Sequence, residues 1–261
     1  MSEKLLSGVH ALVTGASSGL GYAMAHALLQ EGATVAISSR SGEKLSSAVK
    51  RLRDQGLDAH ELAMDVRSAE SIESAADWVK SNWGNVNFLV NNAGIGMRTV
   101  NERFMFEPQP FYEVSPEGFR DLIDTNLTGY FLVSRAFAPM MVAQGSGRIV
   151  NISMNHETMR RKGFVPYGPS RAGAESLSYI MAEDLRDTGV TVNMLLPGGA
   201  TLTGMLPEAY AQRFKSMPNI LSPEIMARPI VYLASPQAEG ITGERIVAVE
   251  FDKWLKEHGE G

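Results

Sequence analysis

The 261 residues carry 24 Lys and Arg against 29 Asp and Glu, a formal charge of −5, and 44% of them are hydrophobic. This composition supplies a large core and excludes general disorder, while the acidic balance lacks the basic footprint of a nucleic-acid binder. The absence of cysteine removes disulfides, thiolate metal sites and a cysteine nucleophile, and the five histidines show no paired metal-ligand spacing.

Apolar, β-rich runs alternate with helical stretches along the whole chain. Residues 9–14 read as a buried strand ending at glycine, and 20–30 as a helix rich in Ala, Leu and Met. Strands are expected at 34–38, 59–63 and 86–90, separated by helices at 43–55 and 69–83. An irregular stretch, 91–115, follows, and within it 95–115 is read as an extended loop at a cleft or an interface. A long helix is expected over 116–143, kinked or broken near Pro139. Then come a strand at 148–152, a helix at 167–187, a strand at 190–196, a helix at 223–234 and a last strand at 245–249. Strands alternating with helices predict a parallel sheet covered on both faces, and no composition shift divides the chain. The expectation is α/β: one doubly wound domain over 1–261. The opening residues lack the long apolar stretch of a signal peptide, and no run reads as a membrane span. A soluble, cytoplasmic protein without a membrane partner is expected.

The first strand runs into Thr14-Gly15-Ala16-Ser17-Ser18-Gly19-Leu20-Gly21. Glycine is needed where backbone turns sharply or approaches a diphosphate closely. A helix starting here aims free N–H groups and its positive dipole end at phosphates. A tight turn with no ligand is the plainer alternative, but three glycines in strand–turn–helix context favour dinucleotide binding.

With this segment the chain resembles the short-chain dehydrogenase/reductase family, whose TGxxxGxG pattern it matches in full. The resemblance spans about residues 7–250 and continues in the family's order. Asp65-Val66 stands where the family's aspartate contacts the adenine amino group. Asn91-Asn92-Ala93-Gly94 matches the NNAG that steadies the central strand beside the cofactor. Asn126 matches the helix asparagine that helps hold a proton-relay water, and Pro197-Gly198 matches the turn flanking the nicotinamide. The resemblance implies a Rossmann-type sheet of seven strands in the order 3-2-1-4-5-6-7. It implies cofactor contacts from Gly15, Ser17, Ser18, Gly19, Leu20, Gly21, Asp65, Val66, Asn92, Ala93, Gly94, Pro197 and Gly198. It also implies a homo-oligomer, tetramer or dimer, pairing through 116–143, 167–187 and the last strand. At the end of the second strand the sequence reads Ser38-Ser39-Arg40-Ser41. No acid is present to hold a ribose 2′-OH, and Arg40 can pair with a 2′-phosphate, so NADP(H) is expected ahead of NAD(H).

The catalytic end departs from the family. There a tyrosine acts as acid or base, aided by a serine on the substrate oxygen and a lysine four residues after the tyrosine. Here the segment is Tyr167-Gly168-Pro169-Ser170-Arg171, so arginine stands at the lysine position, on the helix face of Tyr167. The serine position, thirteen residues before Tyr167, holds Met154, with Ser153 adjacent. Methionine is no useful donor, and neighbours in an extended segment point opposite ways. Asn155 and His156 are further candidate donors. The catalytic set is therefore read as Tyr167, Arg171, Asn126 and Ser153, which bind cofactor as well through Tyr167 and Arg171. Arg160-Arg161-Lys162 near the cleft mouth reads as a solvated face or a dock for an anionic substrate. Residues 200–220 read as a lid. The expected function is NADP(H)-dependent interconversion of a carbonyl and a secondary alcohol. The alternative is a catalytically weak or inactive dinucleotide-binding protein acting as sensor or assembly partner. A sugar epimerase or dehydratase is disfavoured, because that group uses a TGxxGxxG spacing and a larger C-terminal region.

Overall fold

The computed structural model describes residues 4–40, 42–204 and 220–258. Seven parallel strands form one sheet: β1 (His10–Thr14), β2 (Thr34–Ser39), β3 (Ala59–Ala63), β4 (Phe88–Asn91), β5 (Gly147–Ile152), β6 (Val190–Leu196) and β7 (Arg245–Val247). Their order is β3-β2-β1-β4-β5-β6-β7, as the resemblance implied. Successive residues of β1 serve opposite faces. Ala11 and Val13 pack into one core layer with Leu28, Leu45 and Ile230. Leu12 packs into the other with Ile72, Phe137 and Val192. Burial on both faces explains why these strands read as continuous apolar runs rather than alternating ones.

The first layer is covered by α1 (Gly19–Gln30), α2 (Glu43–Arg53) and α8 (Ala227–Ala234), the second by α3 (Ala69–Trp83), α5 (Gly129–Gln144) and α7 (Tyr167–Asp184). A single-turn helix, α6 (His156–Met159), follows β5, and α9 (Phe251–Glu257) follows β7. The sequence reading included neither α6 nor α9. The expected long helix is interrupted: α4 (Pro116–Ile123) passes through a π turn, Asp124–Thr128, before α5 begins. The break falls at Asn126, not at Pro139, which stays inside α5 on its exposed side. There the missing N–H leaves a carbonyl that water can satisfy. The helices expected to end at 55 and 187 end at Arg53 and Asp184, and the final strand stops at Val247.

Strand order reverses between β1 and β4, so their carboxyl ends flank a crevice of the kind in which open α/β sheets bind ligands. The segment 95–115 lies over this end. It contains two short 3₁₀ turns, Met97–Thr99 and Phe111–Glu113, and it buries Phe104 while leaving Phe111 and Tyr112 exposed. Most of the expected lid, 205–219, lies outside the described residues. Among the described residues no helix is long and apolar enough to cross a membrane, and no group of three metal-ligating side chains occurs.

Candidate active site

The turn after β1 is clamped to the end of β4. Thr14 Oγ1 donates to the Val90 carbonyl at 3.2 Å and accepts from the N–H groups of Asn92 and Ala93 at 3.0 Å each. Asn92 Nδ2 donates back to the carbonyls of Thr14 (2.9 Å) and Gly15 (3.2 Å). Gly15 has φ +64°, and a Cβ there would lie 2.6 Å from Ala93 Cα. Only glycine fits both demands. Ser17 and Ser18 complete the turn into Gly19, Leu20 and Gly21, the first residues of α1. Ser18 makes no side-chain capping bond, so the leading N–H groups of a twelve-residue helix are left for a ligand. This cradle suits a diphosphate.

Arg40, just beyond β2, is exposed, and among the described residues its side chain makes no hydrogen bond or ion pair. Asp65 is engaged instead by Arg67, through Nε at 3.1 Å and Nη2 at 2.8 Å. This pairing holds the Asp65 carboxyl below its ordinary range despite partial burial. Val66 is buried.

Tyr167 opens α7 and Arg171 lies one turn on. The guanidinium sits 5.6 Å from the Tyr167 ring centroid and 5.4 Å from that of Tyr130 in α5. Nη1 donates to Tyr130 Oη at 2.6 Å and to the Ile152 carbonyl at 2.9 Å, while Tyr130 Oη itself donates to that carbonyl. Gly94 makes room: a Cβ there would fall 2.6 Å from Arg171 Nη2. Arg171 is 3% exposed. Burial opposes its charge, but the Tyr130 and Tyr167 hydroxyls, both hydrogen-bonded to it, raise its pKa further above the usual arginine value. Burial raises the Tyr130 pKa, with Arg171 acting against the rise. No carboxylate pairs with Arg171 among the described residues, and its Nε is buried without a partner.

Asn126 lies in the π turn, wholly buried. Its Oδ1 accepts from Ile95 N (2.8 Å) and its Nδ2 donates to Ile95 O (2.9 Å), pinning the loop after Gly94. Ser153 is buried, and its Oγ donates to Glu175 Oε1. Glu175 also receives Arg245 Nε at 2.8 Å and faces His156 Nε2 at 3.0 Å. Burial works against its charge, yet these three partners hold its carboxyl below the ordinary carboxylate range. Asn155 Nδ2 donates to the Gly198 carbonyl at 3.1 Å, tying β5's end to the Pro197-Gly198 turn. Met154 instead packs beside Tyr167 on a buried cluster of Met97, Phe104, Leu122 and Phe164. These groups enclose a cavity of about 230 Å³ that runs from Leu20 and Asn92 past Tyr167 and Arg171 to Arg161.

The structure therefore gathers Tyr167, Arg171, Asn92 and Pro197 at one cleft and sets Arg40 beyond the end of β2. Tyr130 and Glu175 escaped the sequence reading. An acid on the largely small and apolar inner face of α7, with an arginine in the last strand to meet it, was the signal for Glu175. Tyr130 offered none beyond being aromatic in a helix.

Fold and site together define a Rossmann-type sheet with its ligand crevice at the switch point. The chain belongs to the short-chain dehydrogenase family, whose profile matches residues 9–213. It is 34% identical over 248 residues to the 3-oxoacyl-[acyl-carrier-protein] reductase of Vibrio harveyi, covering 92% of this chain and 96% of that protein. It is 34% identical over 193 residues to the gluconate 5-dehydrogenase of Gluconobacter oxydans, covering 74% of this chain and 72% of the other. A solved gluconate 5-dehydrogenase from Burkholderia cenocepacia, in complex with NADP and tartrate, superposes with TM-score 0.82 at 27% identity, covering 96% of this chain and 98% of that one.

Proposed function

We propose that the protein is an NADP(H)-dependent oxidoreductase that interconverts a carbonyl and a secondary alcohol. The observation that carries this reading is the buried Arg171 guanidinium with no carboxylate partner and an unpartnered Nε, placed against Tyr167. A buried cation without a counter-charge is costly unless a ligand supplies polar contacts. The bound nicotinamide supplies or accepts the hydride. Tyr167 gives a proton to the carbonyl oxygen in reduction and takes it from the alcohol in oxidation. Arg171 stabilises the negative charge that develops on the phenolic oxygen, and its Nε is the donor left to hold the nicotinamide ribose. The turn from Gly15 to Gly21 takes the diphosphate, Arg40 a 2′-phosphate, and Asn126 holds the loop after Gly94 in place. The NADP-bound relative supports the cofactor assignment.

A second reading, a dinucleotide-binding protein with little turnover, is favoured by one feature: Ser153 Oγ is committed to Glu175 and Met154 gives no donor. Measuring NADPH binding and NADPH oxidation separately, across a carbonyl panel, decides between them. Tight binding with no oxidation of any panel member rejects the oxidoreductase reading.

The protein is further proposed to work as a cytoplasmic homo-oligomer. Phe119 on α4, Phe131 and Val142 on α5, and Tyr179 and Ile180 on α7 expose large apolar side chains on the helices that the family resemblance pairs.

A further inference from the structure

The substrate half of the cavity is walled by thioethers and aromatic rings. Met97, Phe104 and Phe164 are buried, and Met105, Met154 and Tyr167 pack against them. The Phe104 and Phe164 rings meet edge to face at 5.7 Å, and Phe164 lies 6.3 Å from the Tyr167 ring. The proton-bearing phenol thus stands at one end of an apolar wall, and Met154 at the family's serine position is part of that wall.

Four polar side chains of the lining are turned back into the protein. Ser153 donates to Glu175, Asn155 to Gly198, Asn92 to Thr14 and Gly15, and Thr201 to Gly199. Among the described residues, two groups on the substrate side make no side-chain hydrogen bond or ion pair: the Thr158 hydroxyl and the Arg161 guanidinium. Arg161 is exposed at the rim, its guanidinium 5.3 Å from the Phe164 ring centroid. Among the described residues the lining contains no Asp or Glu. A polyol or sugar acid would bury several hydroxyls against this wall with too few partners, which disfavours it.

We infer that the substrate is a carbonyl compound with a compact aromatic or branched apolar group beside the carbonyl and a carboxylate that reaches Arg161. This deepens the oxidoreductase reading above and rests on it for the reaction. Hydride adds to the carbonyl carbon, the C=O π pair takes the Tyr167 proton as an O–H bond, and NADPH becomes NADP⁺. Thr158 supplies the hydroxyl donor that Met154 does not.

The test uses 4-oxo-4-phenylbutanoate, its methyl ester and 5-dehydrogluconate as probes of the full chain with NADPH. One arm measures kcat/KM for NADPH oxidation. The other measures binding of the corresponding alcohols to the NADP⁺-loaded protein by calorimetry. The aryl acid should exceed its ester and the sugar acid by roughly 10-fold or more in both arms, the scale of one charge-assisted contact. Arg161→Ala should erase the advantage of acid over ester, whereas Lys162→Ala should keep it. Met154→Ser should narrow the gap to 5-dehydrogluconate. Preference for the sugar acid, or an acid-to-ester ratio indifferent to Arg161→Ala, overturns the inference while leaving the oxidoreductase reading intact. The expected ranking in binding with no NADPH oxidation does the reverse: it supports the site's specificity and sinks the reaction.

Discussion

Arg171 occupies a lysine position with contacts that lysine cannot reproduce. One guanidinium nitrogen meets both Tyr130 Oη and the Ile152 carbonyl, and Gly94 leaves space for another. Arg171→Lys is therefore expected to lower unfolding stability by about 1–3 kcal/mol, because buried polar groups lose a partner. Denaturant titration checks this, and unchanged stability would show that the arginine contacts are incidental. Glu175 gives a pH-dependent counterpart. Its folded-state pKa lies below its ordinary value of 4.5, so its stabilising effect is complete above that value and lost as pH falls through the folded one. Glu175→Gln should cost about 2 kcal/mol at neutral pH, with the gap from wild type closing in acid. Parallel pH-dependent melts would read this, and a constant gap would refute it. The glycine turn was legible from backbone chemistry, and Asp65, Asn92, Asn126 and Tyr167 from the resemblance to the family's motifs. The Glu175 cluster was not, since its members, 153, 156, 175 and 245, meet only through tertiary packing.

The turn from β1 into α1 was readable because its glycines answer a local need that few residues meet. The Gly15 position demands a positive φ and admits no Cβ beside Ala93. Gly15→Ala should cost about 1–3 kcal/mol and weaken NADPH binding at least tenfold. Thermal melts and fluorescence titration test both parts; wild-type affinity in the variant would remove the turn from the cofactor site. The interruption of the 116–144 helix was not readable. Periodicity runs through α4 and α5 alike, and the π turn depends on Asn126 finding the Ile95 backbone across the fold. Proline, the obvious breaker, sits on the exposed side of α5 and does no breaking. The short α6 was hidden because one turn carries too little periodic signal.

Across the molecule, strand–helix alternation announced a parallel sheet and the family resemblance its strand order, which puts Gly15, Asn92 and Tyr167 at one end of the sheet. Arg40 stands apart from them beyond the end of β2, with no hydrogen bond or ion pair from its side chain among the described residues. Arg40→Ala should weaken NADPH binding by roughly tenfold while leaving NADH affinity nearly unchanged. Equal losses for both cofactors, or none, would contradict a 2′-phosphate contact. The exposed apolar faces of α4, α5 and α7 predict a closed oligomer in light scattering at micromolar concentration, and a monomer would count against it. In the proposed reaction this cleft carries out hydride chemistry with Tyr167 as its proton donor and acceptor. The most direct measurement is NADPH oxidation by wild type and Tyr167→Phe on the same carbonyl substrate, with NADPH affinity measured in both. Equal affinity and a fall in turnover of at least about 10²-fold are expected in the variant. Turnover undiminished in Tyr167→Phe would contradict that role.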